Sequence, residues 1–158
     1  MQPTIITKDI FRSVGISVTT RNDVEFSANG KIPHLWQTYF KEDIMNQIPN
    51  KTGAEIIALY SNYESDETGS YTYTIGNAVS AFEPISENMT LLSVPKTTYA
   101  VFTTRRGKIP EVVPEMWAYI WEWSKENQRA FTVDFELYDE RATNPDNAQV
   151  DIYIALER

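Results

Sequence analysis

At 158 residues, 42% of them hydrophobic and 23% charged, the chain has enough apolar material for one domain with its own core and too much for disorder. A formal charge of -8 sets most of its surface against nucleic acid, and the lack of cysteine excludes disulfide scaffolds, thiolate metal sites and thiol nucleophiles. With one histidine, His34, and no Gly-x-Ser-x-Gly elbow, a Ser-His-Asp triad has no place to form.

Met1 to Thr7 lack a basic stretch followed by an apolar run, so no signal peptide is expected. No apolar stretch approaches the ~20 residues that span a bilayer, and a cytoplasmic location is the expectation. Ile5 to Thr20 reads as β-rich, with Gly15 as a bulge or bend. Gly30-Lys31-Ile32-Pro33 then opens a helical pattern in which Leu35, Trp36, Tyr39, Phe40, Ile44 and Ile48 share one face. Two strands follow, Ala54 to Tyr63 and Tyr71 to Ser80, around a turn at Asp66-Glu67-Thr68-Gly69.

The same order then repeats. Met89 to Thr104 is β-rich and interrupted at Pro95, and Gly107-Lys108-Ile109-Pro110 recurs 77 positions after Gly30. The basic cluster Arg105-Arg106-Gly107-Lys108 reads as a solvated turn rather than a phosphate grip. A second helix follows with Val113, Met116, Trp117, Ile120 and Trp121 on one face, Pro110 and Pro114 being tolerable because they precede or open it. Strands at Phe131 to Tyr138 and Val150 to Leu156 flank a turn at Asn144-Pro145-Asp146-Asn147, and Leu137-Tyr138 aligns with Leu59-Tyr60 at a shift of 78. The expected fold is α+β: one domain, 1–158, of two pseudo-symmetric β-α-β-β repeats (about 1–82 and 83–158), antiparallel strands with two helices against them, and a ligand groove between the repeats.

Nine tyrosines and four tryptophans lift the aromatic content to 13%. Tyr71, Tyr73 and Ile75 share a strand face, and Tyr153 and Ala155 lie opposite Ile152 and Ile154. Such stripes ordinarily make core, yet each buried tyrosine needs a partner for its hydroxyl, and a whole set suggests a lined cavity. Glu136 is the residue that fits the core reading least. It sits mid-strand in Thr132-Val133-Asp134-Phe135-Glu136-Leu137-Tyr138, where an acid requires solvent, a positive partner or a ligand. The residues alone leave a solvent face and a groove face both open. Facing a groove, a carboxylate ringed by Tyr and Trp attracts a flat organic cation. Asp134 and Glu136 also read as a carboxylate pair for acid–base work, at a spacing ordinary sheets share. With Asp139 and Glu140 they lack metal-site spacing, so neither metal nor other cofactor is expected.

Leu35-Trp36-x-x-Tyr39-Phe40, Tyr71-x-Tyr73-x-x-Gly76, Phe135-Glu136-Leu137-Tyr138 and the closing Asp151-Ile152-Tyr153-Ile154-Ala155-Leu156 together resemble, over essentially the whole chain, the effector-binding domain of AraC- and MerR-type transcription activators, the GyrI-like or SOUL-related fold. The resemblance implies non-catalytic binding of bulky lipophilic cations, such as dyes and quaternary or aromatic drugs, between the repeats. It places a central carboxylate at Glu136 and lining aromatics at Trp36, Tyr71, Tyr73 and Tyr153. Trp117 and Trp121 join them from the repeat argument. No helix-turn-helix precedes the domain, so the chain looks like the stand-alone versions found in mobile bacterial gene cassettes. There the ligand is sequestered, or sensed through a partner; a homodimer or a partner transcription factor both remain open, with no nucleic acid or membrane as direct partner. Two rival readings come with the resemblance. Some relatives hydrolyse strained DNA-alkylating compounds, which would make Glu136 a water-positioning group and Tyr71, Tyr73 or Tyr153 a proton donor. Gyrase-inhibiting relatives suggest a protein-binding module with an acidic surface. In all three, Glu136 stands where the first repeat has Ala58, and that asymmetry is where function is expected.

Overall fold

The computed structural model describes residues 2–81 and 87–157. The first half holds β1 (Thr4–Lys8), β2 (Phe11–Arg21), α1 (Asn22–Glu25), α2 (Ile32–Lys41), α3 (Ile44–Gln47), β3 (Ile56–Ser61) and β4 (Ser70–Val79). The second holds β5 (Thr90–Val94), β6 (Thr97–Thr103), α4 (Ile109–Trp123), β7 (Asp134–Tyr138), a 3-10 turn (Glu140–Ala142) and β8 (Asp151–Ala155). The strands form one antiparallel sheet in the order β1-β6-β8-β7-β3-β4-β2-β5. Reading outward from its centre, β3, β4 and β2 are mirrored by β7, β8 and β6, and β3 meets β7 on the pseudo-axis. The α+β architecture is therefore the one expected.

Its outermost strands are not. Each β-rich segment read as one element is two strands, parted at Asp9-Ile10 and at Pro95-Lys96. The first strand of each crosses to the opposite half: β1 pairs with β6, and β5 pairs with β2. Each β-α-β-β unit thus carries an edge strand lent by the other, which ties the halves together at both sheet edges. The repeat boundary expected between residues 82 and 83 lies outside the described residues.

Three local expectations also change. Gly15 makes no bulge; it pairs in register with Gly76. A Cβ on either would collide with the facing backbone, of Ile75 or of Val14, so the two glycines permit a close strand approach. The first helical pattern is broken after Lys41, where Asp43 takes a left-handed φ of 53°, but α3 restarts so that Ile44 and Ile48 remain buried. Pro114 lies inside α4 rather than at its opening, leaving the Pro110 carbonyl without its usual helical donor.

Tyr39, Ile44, Met116 and Ile120 from the helices pack on Ile16, Ile75, Ile152 and Ile154 of the sheet. The opposite face is closed by strand curvature: Phe11 of β2 meets Phe135 of β7 edge-on at 5.3 Å, although β3 and β4 lie between their strands. Leu59, Val94, Tyr99 and Ala155 complete this second cluster.

Candidate ligand cavity beside Glu136

Register places Ala58 of β3 directly opposite Glu136 of β7, and these are also the equivalent positions of the two repeats. The pseudo-axis therefore runs through this pair. Around it β3 reads Ile56-Ile57-Ala58-Leu59-Tyr60 and β7 reads Asp134-Phe135-Glu136-Leu137-Tyr138. Leu-Tyr is kept in both, while two apolar residues of β3, Ile56 and Ala58, are replaced by carboxylates in β7. Alternate residues share a strand face. Asp134 and Glu136 are thus both held inside, at 0% and 2% exposure.

The two carboxylates are solvated in different ways. Asp134 accepts from Arg129 Nη2 (2.8 Å), from the Tyr63 hydroxyl (2.6 Å) and from the Ala155 N–H (2.7 Å). It is a neutralised, structural charge. Glu136 accepts at Oε2 from the Tyr60 hydroxyl and Trp117 Nε1, both at 2.7 Å, and at Oε1 from the Tyr138 hydroxyl at 2.6 Å. All three donors are neutral, and no cation pairs with Glu136 among the described residues. Burial raises its pKa above the ordinary glutamate value, and the three hydrogen bonds offset only part of that rise. Burial, then the Glu136 charge, pushes the Tyr60 and Tyr138 hydroxyls well above the usual phenol range, so both stay protonated as donors.

Beside this carboxylate opens a cavity of about 330 Å³. Tyr60, Tyr63 and Tyr71 line it from the sheet side, and Val113, Pro114, Trp117 and Trp121 from α4. Phe26, 72% exposed, stands at its edge with its ring 5.8 Å from that of Trp121. Both donors to Glu136 Oε2, Tyr60 and Trp117, are lining residues, so the carboxylate lies one hydrogen bond behind the aromatic wall. The remaining polar lining is Asn22, Glu25, Glu67 and Arg129. Glu25 is engaged: it accepts from the Thr20 hydroxyl and from the N–H groups of Lys31 (2.9 Å) and Ile32 (3.0 Å), capping the start of α2. Asn22 accepts from the Tyr71 hydroxyl at 2.9 Å. Burial, then the charges of Glu25 and Glu136, raises the pKa of Tyr71.

Of the residues singled out in the sequence, Tyr71, Trp117 and Trp121 line the cavity and Glu136 lies behind it. Trp36 and Tyr73 belong to the packed layer beyond: Trp36 Nε1 donates to the Tyr73 hydroxyl at 2.9 Å, and its ring stacks on Phe40 and meets Tyr138 edge-on. Tyr73 meets the lining Tyr60 ring to ring at 5.0 Å. Tyr153 is not brought there. Its strand pairing with Phe135 puts it on the opposite face from Glu136, stacked on Phe135 at 4.3 Å. Sequence reasoning missed Tyr60, Tyr138 and Arg129. The Leu-Tyr alignment across the repeats marked the two tyrosines, whereas nothing distinguished Arg129 from a surface arginine.

None of the helices among the described residues is long and apolar enough to cross a membrane. Residues 4–156 match the model of the integron-associated effector-binding protein family, Cass2. YobU of Bacillus subtilis (strain 168), provisionally named a transcriptional regulator, is 39% identical over 151 residues, covering 95% of this chain and 94% of its own. The integron cassette protein VCH_CASS2 of Vibrio cholerae superposes with a TM-score of 0.77 at 26% identity, over 99% of this chain and 96% of that one. SAV2435, solved bound to tetraphenylphosphonium, gives a TM-score of 0.81 at 21% identity, over 99% and 94% of the two chains. With an effector-binding family matched from the first strand to the last, and the GyrI-like fold shared with solved neighbours, this chain belongs to the integron-associated effector-binding proteins.

Proposed function

We propose that the chain binds bulky lipophilic aromatic cations in the cavity beside Glu136, without turning them over. The observation that carries this reading is a fully buried carboxylate with three neutral donors and no cation among the described residues, set directly behind an aromatic wall. An unpaired buried carboxylate is costly, and a cation in the cavity offsets that cost by supplying the missing counter-charge. Tyr60 and Trp117 transmit the effect. Donating to Glu136 polarises both rings toward the cavity and strengthens their attraction for a cation, worth ~0.5–2 kcal/mol per ring. Tyr71 and Trp121 add apolar area that tolerates varied ligand shapes. The tetraphenylphosphonium bound to SAV2435, a protein of the same fold, is a ligand of this chemistry and supports the choice of probe. A nucleophile-and-base arrangement has no support from Asp134, whose oxygens are taken by Arg129, Tyr63 and Ala155.

Calorimetric titration with tetraphenylphosphonium and with tetraphenylborate, equal in shape and opposite in charge, tests the reading. The cation is expected to bind and the anion to show no measurable heat. Equal binding of the two would remove the role of charge.

A further inference from the structure

The two ends of the cavity carry different carboxylates. At the inner end Glu136 is buried behind Tyr60 and Trp117. The solvent end is marked by the turn between β3 and β4. There Glu67 lines the cavity half-buried, while Ser65, Asp66 and Thr68 beside it are exposed. A tyrosine wall joins the two ends. Tyr60, which donates to Glu136, meets Tyr71 ring to ring at 5.3 Å. Tyr71 donates to the Asn22 side chain, and Asn22 Nδ2 donates to the Glu67 backbone carbonyl, both at 2.9 Å.

Glu25, Glu67 and Arg129 are the charged lining among the described residues, and two of them are already committed. Arg129 pairs with Asp134, and Glu25 caps the start of α2 through the N–H groups of Lys31 and Ile32. The Glu67 carboxylate has no ion-pair partner among the described residues; only its backbone is engaged. That backbone is well anchored. Glu64 N–H donates to the Ser70 carbonyl at 2.8 Å and Gly69 N–H to the Asp66 carbonyl at 3.2 Å, closing the turn. Arg21 donates to the Thr68 carbonyl, and the Asp66 side chain accepts from both the N–H and the hydroxyl of Thr68. A loose turn would spread an unpaired carboxylate through solvent. This one holds it at the cavity wall, where partial burial weakens the screening of its charge.

We propose, resting on the cation-binding reading above, that Glu67 is an outer subsite for positive charge and that the preferred ligand class is dicationic. An aromatic cation sits before Tyr60 and Trp117, and a second ammonium, on a tail leaving the cavity, meets Glu67. Monocations fill the inner part and leave Glu67 to water.

Two probes test this by calorimetric titration: an alkyltriphenylphosphonium whose chain ends in trimethylammonium, and its isostere ending in neutral tert-butyl. The ratio of their affinities is expected to be about three- to fivefold more in favour of the dication in wild type than in Glu67→Gln, the upper scale of a partly exposed ion pair. Affinity for the monocation should be nearly the same in both proteins. Because the Glu67 side chain makes no ion pair, its replacement should leave the fold intact; Glu67→Lys, a second variant, should lower the ratio further. Glu42→Gln removes an exposed acid that does not line the cavity and should leave the ratio at its wild-type value. A ratio unchanged in both Glu67 variants while the monocation binds overturns the outer subsite and leaves cation binding intact. A fall in Glu42→Gln as large as that in Glu67→Gln also overturns it, since net charge alone would then set the preference. If neither probe binds the wild type, the parent reading fails and takes this one with it.

Discussion

β3 and β7 are equivalent strands that lie side by side, and they differ in the two positions that matter. Ile56 and Ala58 of β3 are absorbed into apolar packing, and Tyr39 and Trp36 of the adjoining helix α2 pack into the same core. In β7 the same positions carry Asp134 and Glu136, and the half-site under α4 is open as a cavity walled by Trp117 and Trp121. A duplicated scaffold can thus keep one copy for stability and specialise the other. Within β7 itself a further division holds: Asp134 is neutralised by Arg129 and supports the fold, while Glu136 has no cation partner among the described residues.

The sharpest way to break that division is to remove Arg129. Arg129→Met leaves Asp134 buried and unpaired, and urea denaturation should show a loss of about 3–5 kcal/mol. Replacing Arg105, whose ion pair with Glu115 is more than half exposed on both sides, should change stability by less than ~1 kcal/mol. Next in size are the equivalent tyrosines. Tyr60→Phe and Tyr138→Phe each take one hydrogen bond from Glu136, at a cost of about 1–3 kcal/mol by the same measurement. Because those bonds lower the Glu136 pKa, either change raises it further and moves the pH midpoint of cation binding upward. Tyr60→Phe should weaken the cation more, since Tyr60 alone of the pair lines the cavity.

The smallest effect is expected from Phe26→Ala at the cavity edge. Stability should stay within ~0.5 kcal/mol of wild type, and cation affinity should drop by a few-fold at most.

How far the sequence revealed this arrangement depends on what each feature rests upon. Both helices and the four strands after them follow from apolar periodicity and turn residues, which are local. The exchange of β1 and β5 rests on which edge each strand reaches, a choice that no pattern within Ile5–Thr20 or Met89–Thr104 encodes. Glu136 was legible because an acid inside an alternating strand violates its surroundings. Arg129 was not, for it lies in the turn between α4 and β7, where arginine is ordinary, and its contacts with Asp134 and Phe131 exist only in the folded chain. Tyr153 was legible as an inward residue, but two faces of this sheet are inward, and strand alternation alone does not say which of them holds the cavity.

Glu136 also links the account to pH. Its folded pKa is raised above the unfolded value, so its contribution to stability of the free protein is present in full below the ordinary glutamate range and is lost as pH rises through the raised value. Cation binding runs the opposite way, because it favours the ionised form. The most direct measurement is therefore tetraphenylphosphonium affinity across a pH series in wild type and Glu136→Gln. Wild-type affinity should fall as acid protonates Glu136, whereas Glu136→Gln should bind at least tenfold more weakly at neutral pH, on the scale of one lost charge interaction, with no such pH dependence. Wild-type affinity that is flat with pH, or a Glu136→Gln protein that binds the cation as tightly as wild type, would contradict the role assigned to this carboxylate.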